Sequence, residues 1–140
     1  MNKRINTILL STILLLLIAG PIIYFTVFHN ADKEDKEKTI DEIIASSYDV
    51  TDITTNLADG GIIQLSIRIE ANDEDGKDEV EKRSFQINNV LIKHLSSLKG
   101  DDLSTSEGKS KLEEDLKGKF NEVMKDGKIE KVYITSIIIQ

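Results

Sequence analysis

Ile63-Gln64-Leu65-Ser66-Ile67-Arg68-Ile69-Glu70-Ala71 alternates apolar and polar residues without a break. Side chains of a strand point to opposite faces with a period of two. Ile63, Leu65, Ile67, Ile69 and Ala71 therefore face one way, and Gln64, Ser66, Arg68 and Glu70 face the other. That is the signature of a strand with one face on a core and one face open. Upstream, Tyr48 to Leu57 is rich in Thr, Val and Ile and reads as a weaker strand. Asp59-Gly60-Gly61 lies between the two, a turn signal because glycine tolerates positive φ. The pair reads as a β-hairpin, followed by a loop from Asn72 to Lys77.

Downstream the period changes to that of a helix. Val80, Ile87, Leu91, Leu95 and Leu98 recur at threes and fours, with Ser84 at the missing step and Phe85 and Ile92 widening the stripe. Gly100-Asp101-Asp102 ends this helix. Ser104 with Glu107 matches a capping box for a second helix, whose stripe is Leu112, Leu116, Phe120, Val123 and Met124 and whose end is capped by Gly127. Val132 to Gln140 reads as a closing strand, apolar on both faces near its end and so expected to be central or covered. The order ββααβ over residues 46–140 is a small α+β domain.

The first residues place that domain. Ile5 to Phe28 contains no charged residue, and Lys3 and Arg4 stand directly before it. As a helix the run is roughly 36 Å long, enough to span a bilayer core of about 30 Å. It is longer than the apolar region of a cleaved signal, and no small-x-small site follows it. The expectation is a retained single-span anchor with residues 1–4 in the cytoplasm and the domain exported. Lys3, Arg4, Tyr24, Phe25 and Phe28 are the expected interfacial anchors. Thr12, Ala19 and Thr26 recur every seven positions and form a small-residue face suited to helix packing. Residues 29–45, nearly all charge between Ala31 and Lys38, read as a solvated stalk that returns to apolar residues at Thr39 to Ile44, a short helical turn.

Composition excludes several classes. The chain has 140 residues, no cysteine and a net charge of −7. A disulfide framework and thiol chemistry are excluded, and the charge argues against nucleic acid and anionic lipid. The two histidines, His29 and His94, are isolated from each other in sequence. No nucleophile elbow or phosphate-cradling glycine loop is present. Asp73-Glu74-Asp75-Gly76 fails as a calcium loop, because aligning Gly76 to the loop's glycine places Ala71 and Lys82 at the first and last ligands. It reads as a solvated loop. The expectation is a protein that is not an enzyme and has no cofactor, no metal and no small-molecule substrate.

Three stretches, in this order and behind this anchor, resemble the FliL family of flagellar basal-body-associated proteins. They are Thr55-Asn56-Leu57-Ala58-Asp59-Gly60-Gly61; Leu95-Ser96-Ser97 with Asp102-Leu103, Glu107-Gly108-Lys109 and Lys111-Leu112; and Val132-Tyr133-Ile134-Thr135 through Ile138-Ile139-Gln140. The chain departs from the family pattern at Asn88-Asn89, Leu98 and Ser136, which bears on surface contacts. The resemblance implies a single-pass accessory of the flagellar motor in the bacterial cell membrane. It implies partners among the basal body and stator proteins of the MotA/MotB type, and a stomatin/prohibitin-type (SPFH) domain that assembles as a homo-oligomeric ring. A membrane-tethered sensor or ligand-binding domain is the alternative, although residues 1–4 are too short for a signalling module.

Overall fold

In the computed structural model, residues 37–140 are described. Lys38–Gln140 forms one compact unit. The strand read first is its centre. β2 (Ile62–Ala71) lies between β1 (Ser47–Asn56) and β3 (Ile129–Ile139) in an antiparallel three-stranded sheet. Ile63, Leu65, Ile67 and Ile69 are at most 1% exposed, so the alternation marks a covered face as expected. Register puts Ile53, Leu65 and Ile137 side by side on that face, and Asp49, Arg68 and Tyr133 side by side on the other.

The hairpin turn closes through Leu57 N–H to the Gly61 carbonyl at 2.7 Å, with Gly60 at φ +90°. β1 carries a bulge at Thr51-Asp52, between the Val50–Ile67 and Ile53–Leu65 pairs. Asp52 sits there at φ 55°, and its N–H is taken up by Ser66 Oγ at 3.0 Å.

The helical layer has more pieces than the sequence pattern shows. α1 (Ile40–Ala45) opens the unit with a Thr39–Glu42 capping box. α2 (Glu74–Lys82) and α3 (Ser84–Leu95) replace the single helix expected from Val80 to Leu98. The chain breaks at Arg83 (φ −98°, ψ 13°), whose Nε donates to Glu79 Oε1 at 2.6 Å. The expected loop at Asn72 to Lys77 is largely the start of α2, because Asp73 Oδ1 caps the Gly76 N–H at 2.8 Å. A 3-10 turn (Gly100–Leu103) then leads to α4 (Ser106–Val123). Thr105, not Ser104, is the α4 cap: its Oγ1 accepts from Gly108 N–H at 3.0 Å, while Ser104 Oγ donates back to the Asp101 carbonyl. Gly108 has a steric role as well. A Cβ there would lie 1.8 Å from the Asp102 carbonyl oxygen.

The core is Val80, Ile87, Leu91, Leu95, Leu112, Leu116 and Phe120 from the helices against the inner face of the sheet. Phe85 and Ile92, expected to widen the α3 stripe, are instead 71% and 39% exposed. The closing strand also differs from expectation. β3 is an edge strand, not a central one, and Ile138 and Ile139 are half-exposed. Central burial fell to β2 because only β2 has a neighbour on both sides.

Among the described residues, no helix is long and apolar enough to cross a membrane. The run Ile5 to Phe28, the anchors Lys3, Arg4, Tyr24, Phe25 and Phe28, and the packing face Thr12, Ala19 and Thr26 all lie outside the described residues.

Candidate interaction surface

His94 lies on α3, facing α4, with a side chain 11% exposed. Its Nε2 is buried without a hydrogen-bond partner and stands 3.7 Å from Asp115 Oδ2. Burial, then the Lys119 charge, holds its pKa below the ordinary histidine value, so the ring is neutral despite Asp115. Asp115 in turn accepts from Lys111 Nζ at 2.7 Å. Among the described residues no three His, Asp or Glu side chains converge to hold a metal.

The polar chemistry is concentrated instead at one end of the sheet. Lys38 Nζ, at the entry to the compact unit, donates to the Ala71 carbonyl at 2.8 Å and to Glu130 Oε2 at 2.5 Å. It also stands 3.5 Å from Glu70 Oε1. Tyr133 Oη donates to the other Glu70 oxygen at 2.8 Å. Glu70 is 3% exposed, so a buried carboxylate is held between a cation and a phenol. Burial and this bond to Glu70 push the Tyr133 hydroxyl up to about 12. One lysine thus ties the incoming chain to β2 and β3 together.

A second staple lies at the α4–β3 turn. The Glu79 carboxylate accepts from the consecutive N–H groups of Lys125, Asp126 and Gly127 at 2.8, 3.0 and 2.8 Å, as well as from Arg83. These bonds, Gly127 foremost, hold its pKa down to about 2. Gly127, expected to cap α4, serves here as a donor to Glu79, and Met124 ends the helix. An open polar hollow of about 730 Å³ lies alongside, with Asp73, Asp78, Arg83 and Phe85 among its lining residues.

The opposite end of the sheet is apolar. Ile62 and Ile138 are each 47% exposed on the open face, and Ile139 is 38% exposed on the other. Sequence reasoning found none of Lys38, Glu70, Glu79 or Tyr133. Lys38 is the last of a run of charges and Glu79 one of ten acids in the domain's first half, and no local pattern tells a stapled charge from a solvated one.

Among the described residues the arrangement is a stapled base with apolar side chains left outside. A model of the family described as flagellar basal body-associated protein FliL matches residues 47–140, from the start of β1 through β3. Flagellar protein FliL of Bacillus subtilis (strain 168) is 41% identical over 121 residues, 86% of this chain and 86% of its own length. Flagellar protein FliL of Aquifex aeolicus (strain VF5) is 27% identical over 77 residues, 55% of this chain and 48% of its own. The strands, the hairpin turn and the Gly108 close approach all lie inside the matched region, and the chain belongs to the FliL family of flagellar basal-body-associated proteins.

Proposed function

We propose that this protein is a single-pass membrane accessory of the flagellar motor that stands beside the stator units, of the MotA/MotB type, and supports rotation as a homo-oligomer. Residues 5–28 hold it in the cell membrane, residues 29–45 space it, and the domain of residues 46–140 works outside the cytoplasm. The exported unit is of the stomatin/prohibitin kind and does no chemistry of its own. The single observation that carries this reading is the match to the FliL family across the whole sheet and the helices α2 to α4. The physics is in keeping with it. Lys38 pins the incoming chain to two strands at once, so a pull or a tilt on the chain reaches the sheet without slack. A small, rigid unit tied at its entry suits holding a partner at a set height.

The test is complementation of cells lacking the gene, scored by swimming in soft agar and by motor torque. The full chain should restore both. A secreted form without residues 5–28 should restore neither, because it loses its local concentration at the motor. Ala19→Leu keeps the run apolar and should reach the membrane at normal level while giving less torque under load. Full rescue by the secreted form overturns the anchoring part of the proposal. A reporter active only outside the cytoplasm, fused after Gln140, should be active; an inactive fusion overturns the topology.

A further inference from the structure

α3 and α4 meet around a histidine that has no place for a second proton. His94 stands in the last turn of α3, its side chain 11% exposed and its Nε2 buried without a hydrogen-bond partner. Asp115 Oδ2 is 3.7 Å away, and that same oxygen already accepts from Lys111 Nζ at 2.7 Å. A neutral ring tolerates this placement. An imidazolium does not, because it would carry a charge and an unbonded N–H out of water.

The charges around the ring add to that cost. α4 presents Lys111, Asp115 and Lys119 to it, with Glu114 and Glu122 around the hollow beside it. Lys119 opposes a proton on His94 more strongly than Asp115 favours one. Lys93 is its charged neighbour on α3, and Asp102 of the 3-10 turn shares the adjoining hollow with Lys111. The paired residues on the inner face of the sheet include no charged side chain. Beside the ring there is room. The hollow holds about 330 Å³ between His94, Asp115, Gly118, Lys119 and Glu122, and a Cβ on Gly118 would meet nothing within 4 Å. Asp115, Gly118 and Glu122 fall three and four apart, on one side of α4.

We propose that His94 is an acid-operated release for the α3–α4 joint: a proton on the ring moves it from between the helices into this hollow, between Asp115 and Glu122, and the joint loosens while the sheet stays closed. Burial first, and the Lys119 charge second, hold the ring's folded pKa below its ordinary 6.5. The joint is therefore at full strength above pH 6.5, weakens as pH falls below it, and is weakest below the folded value. Asp115, hydrogen-bonded by Lys111, lies below the ordinary carboxylate range and keeps its charge in that window. A release of this kind has a use only where pH varies, and in this it rests on the exported placement proposed above, since a unit outside the cytoplasm meets the pH of the medium.

The test is amide hydrogen exchange of the full chain in detergent at about pH 7.5 and about pH 5.5, corrected for the intrinsic pH dependence of exchange. The amides of α3 and α4 should lose protection several-fold at the lower pH, and those of β2 should not. His94→Gln cannot take up a proton there and should keep α3 and α4 protected at both values; His94→Phe repeats this arm if the glutamine variant fails to fold. The chain has two histidines, so the ring proton of His94 can be followed by NMR beside that of His29. Lys119→Gln should move the His94 titration and the loosening to higher pH, and Asp115→Asn should move both to lower pH. Equal protection of α3 and α4 at both pH values in the parent overturns the proposal. So does loosening that survives in the folded His94 variant, which would assign it to the carboxylates, or that spreads equally to β2, which would be general acid unfolding. Neighbour variants that leave the titration in place overturn it as well. An inactive reporter after Gln140 removes the exported placement alone, and the release is then judged by the same exchange measurements.

Discussion

The two faces of β2 were built by the same alternation, and they behave differently along their length. The inner face is uniform: Ile63, Leu65, Ile67 and Ile69 are sealed beneath the helices. The open face is graded. Gln64 reaches Asp52 at 3.1 Å, Arg68 forms a bidentate pair with Asp49 at 2.7 and 2.8 Å, and Glu70 is buried under Lys38 and Tyr133. A polar face is thus not one environment. Its cost of disruption should follow how completely each group has lost water, not the polarity of the residue.

The largest effect should come from the inner face. Ile67→Ala removes several buried methyl groups and should cost about 3–4 kcal/mol in denaturant melts. A loss below that of Glu70→Ala would break the contrast between faces.

Glu70→Ala comes next, at about 2–3 kcal/mol, because it strips Lys38 and Tyr133 of a shared partner. Proteolysis near residue 38 should rise in this variant, since the clasp on the incoming chain loosens. Unchanged cleavage there would show that the Ala71 carbonyl and Glu130 hold Lys38 alone.

Tyr133 sharpens the same site through pH. Its folded pKa is raised to about 12 from the ordinary 10.0, so its contribution is fully present below pH 10 and is lost as pH rises through 12. Tyr133→Phe should cost about 1 kcal/mol at neutral pH and flatten the stability curve between pH 10 and 12. A mutant curve parallel to the parent's would remove the Glu70 bond from the account. The acid limb belongs to Glu79. With a folded pKa near 2 against 4.5, it stabilises above pH 4.5 and loses that contribution as pH falls toward 2, and Glu79→Gln should flatten that limb.

The smallest effect should be Gln64→Ala, under about 0.5 kcal/mol, because its single bond to Asp52 is exposed. Arg68→Ala should stay under about 1 kcal/mol, as both partners are 41–50% exposed. If Gln64→Ala costs as much as Glu70→Ala, the open face is covered by something along its whole length.

Local periodicity carried the strands and the hairpin, because pleat, turn chemistry and side-chain direction are properties of neighbours in sequence. The α4 stripe was legible for the same reason: Leu112, Leu116 and Phe120 are all buried. The break at Arg83 was invisible, since Val80 and Ile87 stand seven apart and the helical period runs through it unbroken. The α4 cap missed by one residue because Ser104 and Thr105 offer equivalent hydroxyls. The choice fell to the Asp102 carbonyl, which approaches where Gly108 has no Cβ.

The sequence by itself determined the α+β class, the inner face of β2, the turn at Gly60 and the family, all of them written in short-range pattern or in matched residues. Only the tertiary structure decided which strand is central, which acids are staples and which apolar residues stay outside. Those depend on partners far away in the chain: Glu79 meets residues 125–127, Lys38 meets Glu130, and Ile138 has no strand beyond it among the described residues. A charge or an isoleucine looks the same in sequence whether or not such a partner arrives.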